Sequence, residues 1–427
     1  YTTVRGDNRN SGKSPEAPMS SIAAILRAYD LDAGDVINVD TGVYELATNL
    51  VIGNEDAGVE VRGPLGPGRE AVLDRGNSST GSYVFELVDA DGVVLSDLTV
   101  TGGQYGVRAV NNSDSDGVVL RRLVVLGNSS YGIDLENTNN DALLEDLVVH
   151  DNGNLGVHID GSGAQVTGGE FFNSGTGINI SGSGWVVRGV EAYGNTTGIQ
   201  AGGDGLVVEN LVRDNASTGI SGGGDVEIRG NTVFGHRGNN DEGISSSGLT
   251  VDNLVFDNFV GVRSSGRVEA NRIFANLSAG VTSSGGAVLV GNSIYSNPIG
   301  VSMSASNVSA RIQLRNNLIY ANTNQAVVIN WGSNSTLVNN TIYQPIGDAV
   351  TVSGGARNVN LHNNILWVDL GAVLVVAANS QDGMVSDHNL FFRGQPADTI
   401  LANWGGTPLD DLAAWQGTTP PGARSLE

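Results

Sequence analysis

The residues best equipped for chemistry lie between positions 131 and 200, in the segments YGIDLEN, LGVHIDGSG, TGINISG and TGIQAGG. Each pairs a glycine with a following aliphatic residue, so Ile133, Val157, Ile178 and Ile199 hold equivalent places, spaced by 24, 21 and 21 residues. Side chains of a strand alternate between faces. If Ile133 and Leu135 turn inward, then Asp134 and Glu136 turn outward, and His158 and Asp160 do so one repeat later. Stacked strands lie roughly 4.8 Å apart, which makes equivalent positions neighbours. Asp134 then sits beside His158 with Arg108 one repeat before, and Glu136 sits beside Asp160. Crowded carboxylates are driven toward protonation unless a cation or imidazole compensates, which is the condition that acid–base chemistry exploits.

Three reactions suit this set. The first is proton abstraction next to a uronate carboxyl group. Arg108 or Arg122, or a calcium ion held by Glu136 and Asp160, would neutralise the substrate carboxylate. His158 would act as base, Tyr131 as proton donor, and Asp134 and Glu136 would tune them. The second is inverting glycoside hydrolysis by Asp134 and Asp160, and the third is metal-assisted chemistry at His158, Asp134 and Asp160. Asn179 and Gln200 extend the polar face for sugar binding, and Tyr105 and Trp185 are expected to wall a groove beside it. Beyond this stretch the equivalent outward positions are Ser221, Ser245, Arg263, Thr282 and Ser302, which offer little reactivity. The opposing reading is that outward residues of any stacked structure are polar, so the cluster decorates a non-catalytic spacer or adhesion module of a larger surface protein.

The elements that would position these residues form a long register: Val107, Ile133, Val157, Ile178, Ile199, Ile220, Ile244, Val262, Val281, Val301, Val327, Val350 and Val373, at steps of 18 to 26 residues. That period belongs to a solenoid, not to a sandwich or an α/β domain. A second series, Asn210, Asn231, Asn253, Asn271, Asn292, Asn317, Asn340, Asn364 and Asn389, predicts stacked asparagines that bond along the coil and tolerate left-handed corners. The architecture is therefore an all-β parallel β-helix, expected to form one domain. Residues 1–50 supply an N-terminal cap and first strand, 51–394 the coil, and 395–427 a C-terminal cap and tail. Ser20 or Ser21 starts a capping helix with Ile22, Ile25 and Leu26 on one face, ended by residues 32–34. Residues 409–415 cover the last turn, and His388, Asp410 and Asp411 are read as part of that closure.

Composition narrows the function. Acidic residues number 45 against 22 basic ones, a formal net charge of −23 that repels nucleic acid and anionic membranes. With no cysteine, disulfides, thiolate metal sites and cysteine nucleophiles are excluded. Lys13 is the single lysine, so no lysine base serves the coil. No apolar run has the length of a membrane span. The turns DADG and NNSDSDG resemble calcium loops only in composition and are read as solvated turns. The chain opens without Met or a leader, so a processed or excised form is expected, with the final Leu426 and Glu427 as a cloning remnant. The absence of cysteine is compatible with a bacterial extracellular protein, and a secreted or surface-exposed monomer is expected.

The stretch YTTVRGDNRNSGKSPEAPMSSIAAILRAYDLDAGDVINVDTGVYE resembles the N-terminal segment of bacterial right-handed β-helix proteins of the pectate-lyase-like superfamily. The matching pieces are a Gly-Asn-Asp-rich opening at 6–12, a Ser-Ile-x-x helix start at 21–24, Gly-Asp-x-Ile-x-Val at 34–39 and Gly-x-Tyr at 42–44. SDHNLFF and LDDLAAWQ are similar to the closing segment of such proteins. The resemblance implies a right-handed β-helix acting on or binding polysaccharide, within a group that holds lyases, epimerases, hydrolases and non-catalytic modules. Tyr131-Gly132-Ile133-Asp134 is similar to the Tyr-Gly-Phe-Asp segment of alginate C5-epimerases. That family continues Pro-His-Glu where this chain has Leu135, Glu136 and Asn137, so only His158, on the next turn, stands in for the family's histidine.

Overall fold

The structure is a computed structural model that describes residues 1–304, 311–418 and 425–426. It is an all-β parallel solenoid divided into two compact units, Tyr1–Asn215 and Ala216–Glu427. In the first unit each turn contributes one short strand to each of three parallel sheets. Val119–Arg121, Leu143–Glu145 and Gln165–Thr167 stack in one sheet, and Val124–Leu126, Val148–His150 and Glu170–Phe172 in the second. The third holds the longer strands Tyr105–Ala109, Tyr131–Leu135, Leu155–Ile159, Thr176–Ile180 and Thr197–Ala201. Most three-residue strands bury only their central residue, such as Leu144 and Val149, because a strand's period of two allows a single inward side chain in that length.

The register read from the sequence is present in both units. Val107, Ile133, Val157, Ile178 and Ile199 are aligned in the first, and Ile220, Ile244, Val262, Val281, Val301, Val327 and Val350 in the second. The last step departs from expectation: Val350 lies opposite Leu374, not Val373, although both are buried. The glycine before each anchor from Val107 to Val301 has a steric cause, while Val327 and Val350 follow Ala326 and Ala349. A Cβ on Gly156 would lie 2.5 Å from the carbonyl oxygen of Gly177 in the next turn, and one on Gly280 would lie 2.7 Å from that of Gly300.

The asparagine series forms a buried ladder. Asn253 donates through its backbone N–H and its Nδ2, each at 2.9 Å, to Oδ1 of Asn271. Its Nδ2 also donates to the carbonyls of Ile228 and Val251. The left-handed conformation falls on the residue before each asparagine, as at Asp252 (φ 55°) and Asn316 (φ 57°), rather than on the ladder residue. A second ladder was not anticipated. Asn128, Asn152, Asn195 and Asn215 build it in the first unit with Ser174 interposed, and Asn258, Asn276, Asn297 and Asn322 in the second. Both ladders satisfy corner amides and carbonyls that water cannot reach. On the outside of the second unit, Phe234, Phe256, Phe274, Tyr295 and Tyr320 stack face to face, so their rings spend their faces on one another.

Ser21 caps the helix Ile22–Ala28 by accepting the Ala24 N–H at 3.2 Å, and Ile22 and Ile25 are buried against the strand Leu50–Gly53 side of the coil. The helix stops at Ala28, before the expected 32–34. In the second unit Thr407–Leu409 pairs antiparallel with Thr399–Trp404, and the helix Leu412–Thr418 sets buried Trp415 edge-on against Trp404.

Candidate functional site

The third sheet of the first unit places Glu86, Arg108, Asp134, His158, Asn179 and Gln200 in one column of register partners. A neighbouring column holds Tyr83, Tyr105 and Tyr131. The tyrosine rings meet edge to face at 5.4 and 5.2 Å, and Tyr131 meets the His158 ring in the same way at 5.6 Å. Each residue of the first column follows an inward apolar one, Phe85 before Glu86 and an aliphatic residue before the others, so the alternation of the strand positions that column.

Asp134 lies at the centre. Its Oδ1 is 2.8 Å from His158 Nδ1 and its Oδ2 is 3.4 Å from Arg108 Nε. It points outward as expected, yet only 2% of its side chain is exposed, because the arginine and imidazole on either side close over it. A carboxylate accepts, so His158 donates from Nδ1 and turns Nε2 toward Asp160 Oδ2, 3.4 Å away. The hydrogen bond to Asp134 holds the His158 pKa above the usual imidazole value. Burial opposes this, and Asp160 adds to the rise. Burial raises the Tyr131 phenol, reinforced by Tyr105 and Asp134.

Arg108 is placed differently from a group that waits for substrate. Its Nη1 donates to the Tyr83 hydroxyl at 2.7 Å and its Nη2 to Glu136 Oε1 at 3.0 Å, while the guanidinium lies over the Tyr105 ring at 4.4 Å. Its Nε is buried without a hydrogen bond. Arg122 is committed elsewhere, donating to both carboxylate oxygens of Asp97 at 2.7 Å. Glu136 and Asp160 do not act as a pair. Glu136 accepts from Arg108 and from the Asn111 N–H, and Asp160 accepts from the Ser181 hydroxyl. Asn179 is half-buried and Gln200 exposed on the same face.

Trp185 requires correction. It is fully buried in the core on another sheet, where its Nε1 donates to the Gly202 carbonyl at 3.0 Å. It takes the corner position that Ala142 and Ala164 fill in the preceding turns, at a register shift against the next strand. The space comes from Gly205, where a Cβ would meet the indole at 2.3 Å. Tyr105 thus lines the site without an indole opposite. Sequence reasoning missed Tyr83 and Glu86, although YVFE repeats the pattern of Tyr105-Gly-Val-Arg and Tyr131-Gly-Ile-Asp one turn earlier. Glu86 also borders a cleft of about 580 Å³ that includes Leu26, Asn49, Val51 and Arg75.

No curated sequence matches the chain significantly. Among solved structures, the chain is similar to pectate lyase Pel9A at 18% identity, covering 74% of each chain with a TM-score of 0.35. It is similar to the pre-mature gene product 12 of bacteriophage phi29 at 12% identity and TM-score 0.45, over 88% of this chain and 54% of that one, so it spans little more than half of the phage protein. It is also similar to the A-module of the Azotobacter vinelandii mannuronan C-5 epimerase AlgE6, at 14% identity and TM-score 0.31, over 87% of this chain and 94% of that one. No helix among the described residues is long and apolar enough to cross a membrane. The model of the right handed beta helix region matches residues 105–260, 223–366 and 258–407, well over half of the sequence. The chain, with its stacked parallel strands and inward aliphatic columns, belongs to that family.

Proposed function

We propose that this β-helix is an extracellular protein that binds polysaccharide along the column from Glu86 to Gln200 and transfers a proton there through His158. The observation that supports this most is the imidazole held between two carboxylates. Asp134 fixes the Nδ1–H tautomer from a desolvated position, which leaves Nε2 as the exchanging atom on the outer face. Tyr131, whose ring meets the imidazole edge to face, is the second proton carrier in this reading. Abstraction of a proton next to a uronate carboxyl, followed by return to the other face or loss of a leaving group, gives epimerase or lyase chemistry with these two residues. Arg108 acts as a positioning residue, because its donors hold Tyr83 and Glu136 in place.

Substrate charge sets a condition. The column carries Glu86, Asp134, Glu136 and Asp160 against Arg108 and His158, so a uronate chain approaches a face of its own sign. Turnover of alginate or pectate therefore requires a bridging cation. Calcium is the reading for that role, held between the substrate carboxylate and Asp160, because both oxygens of Glu136 are already taken by Arg108 and the Asn111 N–H. The test is a panel of alginate, pectate and neutral glycans with calcium or with chelator, followed by ultraviolet absorbance of unsaturated ends and NMR of residue configuration. His158→Gln is expected to lower kcat by about 10²-fold or more, the usual range for a lost general acid or base. Equal activity in His158→Gln and the parent would refute the assignment.

A second reading rests on the ion pairs that the network makes within itself. Asp134 is ion-paired to Arg108 and His158, and Arg108 to Glu136 and the Tyr83 hydroxyl, without a ligand, as in a structural ion cluster on a non-catalytic module. Glycan binding without turnover, unchanged in His158→Gln, would establish that reading.

A further inference from the structure

Outside this column, another part of the coil brings imidazoles and a carboxylate together. His362 ends the strand Asn360–His362, Asp387 ends Val385–Asp387, and the two are register partners on adjacent turns. His388 follows in the corner with φ 55°, its Nδ1 2.8 Å from Asp387 Oδ2. Its ring meets that of His362 edge to face, with centroids 5.0 Å apart. One ligating atom from each of the three side chains lies within 4.8 Å of the others, the one such grouping found among the described residues. His362 and Asp387 are half-buried and His388 is exposed, so an ion can enter directly from solvent.

We propose that His362, Asp387 and His388 bind a divalent first-row transition ion, with zinc as the probe. Two imidazole nitrogens and one carboxylate suit zinc, nickel or copper, whereas calcium and magnesium take sets made of oxygen. Zinc bonds of about 2.0–2.2 Å need ligand atoms closer than they stand here, a closure that the proposal assigns to rotation of the three side chains. Asp387 and His388 already stand at contact distance. Three protein ligands leave a coordination position to water, the arrangement of an open site and not of a closed structural one. The site is independent of His158 and of the proposed polysaccharide chemistry.

The experiment is calorimetric titration of the full chain, stripped with chelator and free of any histidine tag, with zinc chloride. Two substitutions keep the local fold. His388→Asn places in the corner the residue that Asn339 and Asn363 supply at φ 57° and 55° in the two preceding turns, and His362→Val copies its register partner Val338. The parent is expected to show saturable binding at one zinc per chain and a higher unfolding midpoint with zinc than in chelator. Each variant is expected to bind at least about tenfold more weakly, since even outer-shell changes cost that much at metal sites. Both should keep the parent's circular dichroism and its midpoint in chelator, and His158→Gln should retain full affinity. Absence of saturable binding, or parent affinity in both variants, would overturn the proposal.

Discussion

Replacing Asp134 by Asn tests whether the centre of the column is a protonated ion cluster. The substitution keeps shape and one oxygen acceptor but removes the charge between His158 at 2.8 Å and Arg108 at 3.4 Å. Losing a hydrogen bond to a charged partner costs about 1.5–3 kcal/mol. Arg108 keeps Glu136 and Tyr83, so no guanidinium is orphaned and the loss stays below the roughly 3–5 kcal/mol of a broken buried pair. Relief of the carboxylate's own desolvation, at 2% exposure, offsets part of it. A net destabilisation of about 2 kcal/mol is expected on the acidic side of neutrality. Its pH dependence carries the sign. The folded His158 pKa lies above its unfolded value, so the extra stability is complete below about 6.5 and is lost as pH rises through the folded value. The penalty of Asp134→Asn should therefore shrink from about pH 6 to about pH 9. Urea unfolding at both pH values measures it. Proton NMR of the five histidines, with His158→Gln for assignment, should show the His158 pKa falling in the variant. An unchanged pKa, or a penalty that grows with pH, would refute the cluster.

The fold makes two further demands. Asn271→Ala removes a buried acceptor for the Asn253 N–H, a buried donor to the Thr250 carbonyl and a partly buried one to the Glu269 carbonyl, so a loss of about 3 kcal/mol in urea unfolding is expected; a loss under about 1 kcal/mol would show that the ladder adds little. Gly280→Ala puts a methyl 2.7 Å from the Gly300 carbonyl oxygen and 2.8 Å from Asn297 Nδ2, and should cost about 1–3 kcal/mol although its backbone is not left-handed. If alanine is tolerated there without loss, crowding from the next turn is not what keeps the position small. If His158 acts as the base, kcat should rise with pH through a value above the ordinary imidazole range, and a falling limb there would make it an acid instead.

The sequence alone determined the parts of this protein that repeat. Strand alternation and a recurring aliphatic anchor are local, so they revealed the solenoid, the first asparagine ladder and the juxtaposition of Arg108, Asp134 and His158, whose strands share one length and register. Tertiary structure decided what depends on corners and neighbours. Trp185 went inside because Gly205 of the next turn leaves room for the indole, a fact that no property of the tryptophan segment encodes. Arg108 became a brace because Tyr83, one turn earlier, and Glu136, one turn later, both reach its donors. His362 met Asp387 and His388 only because the turn between them has the length that makes the first two register partners. Periodicity fixes which residues face outward. What each then touches is set by side chains on the turns above and below, whose corners vary in length without a pattern that the chain displays in one dimension.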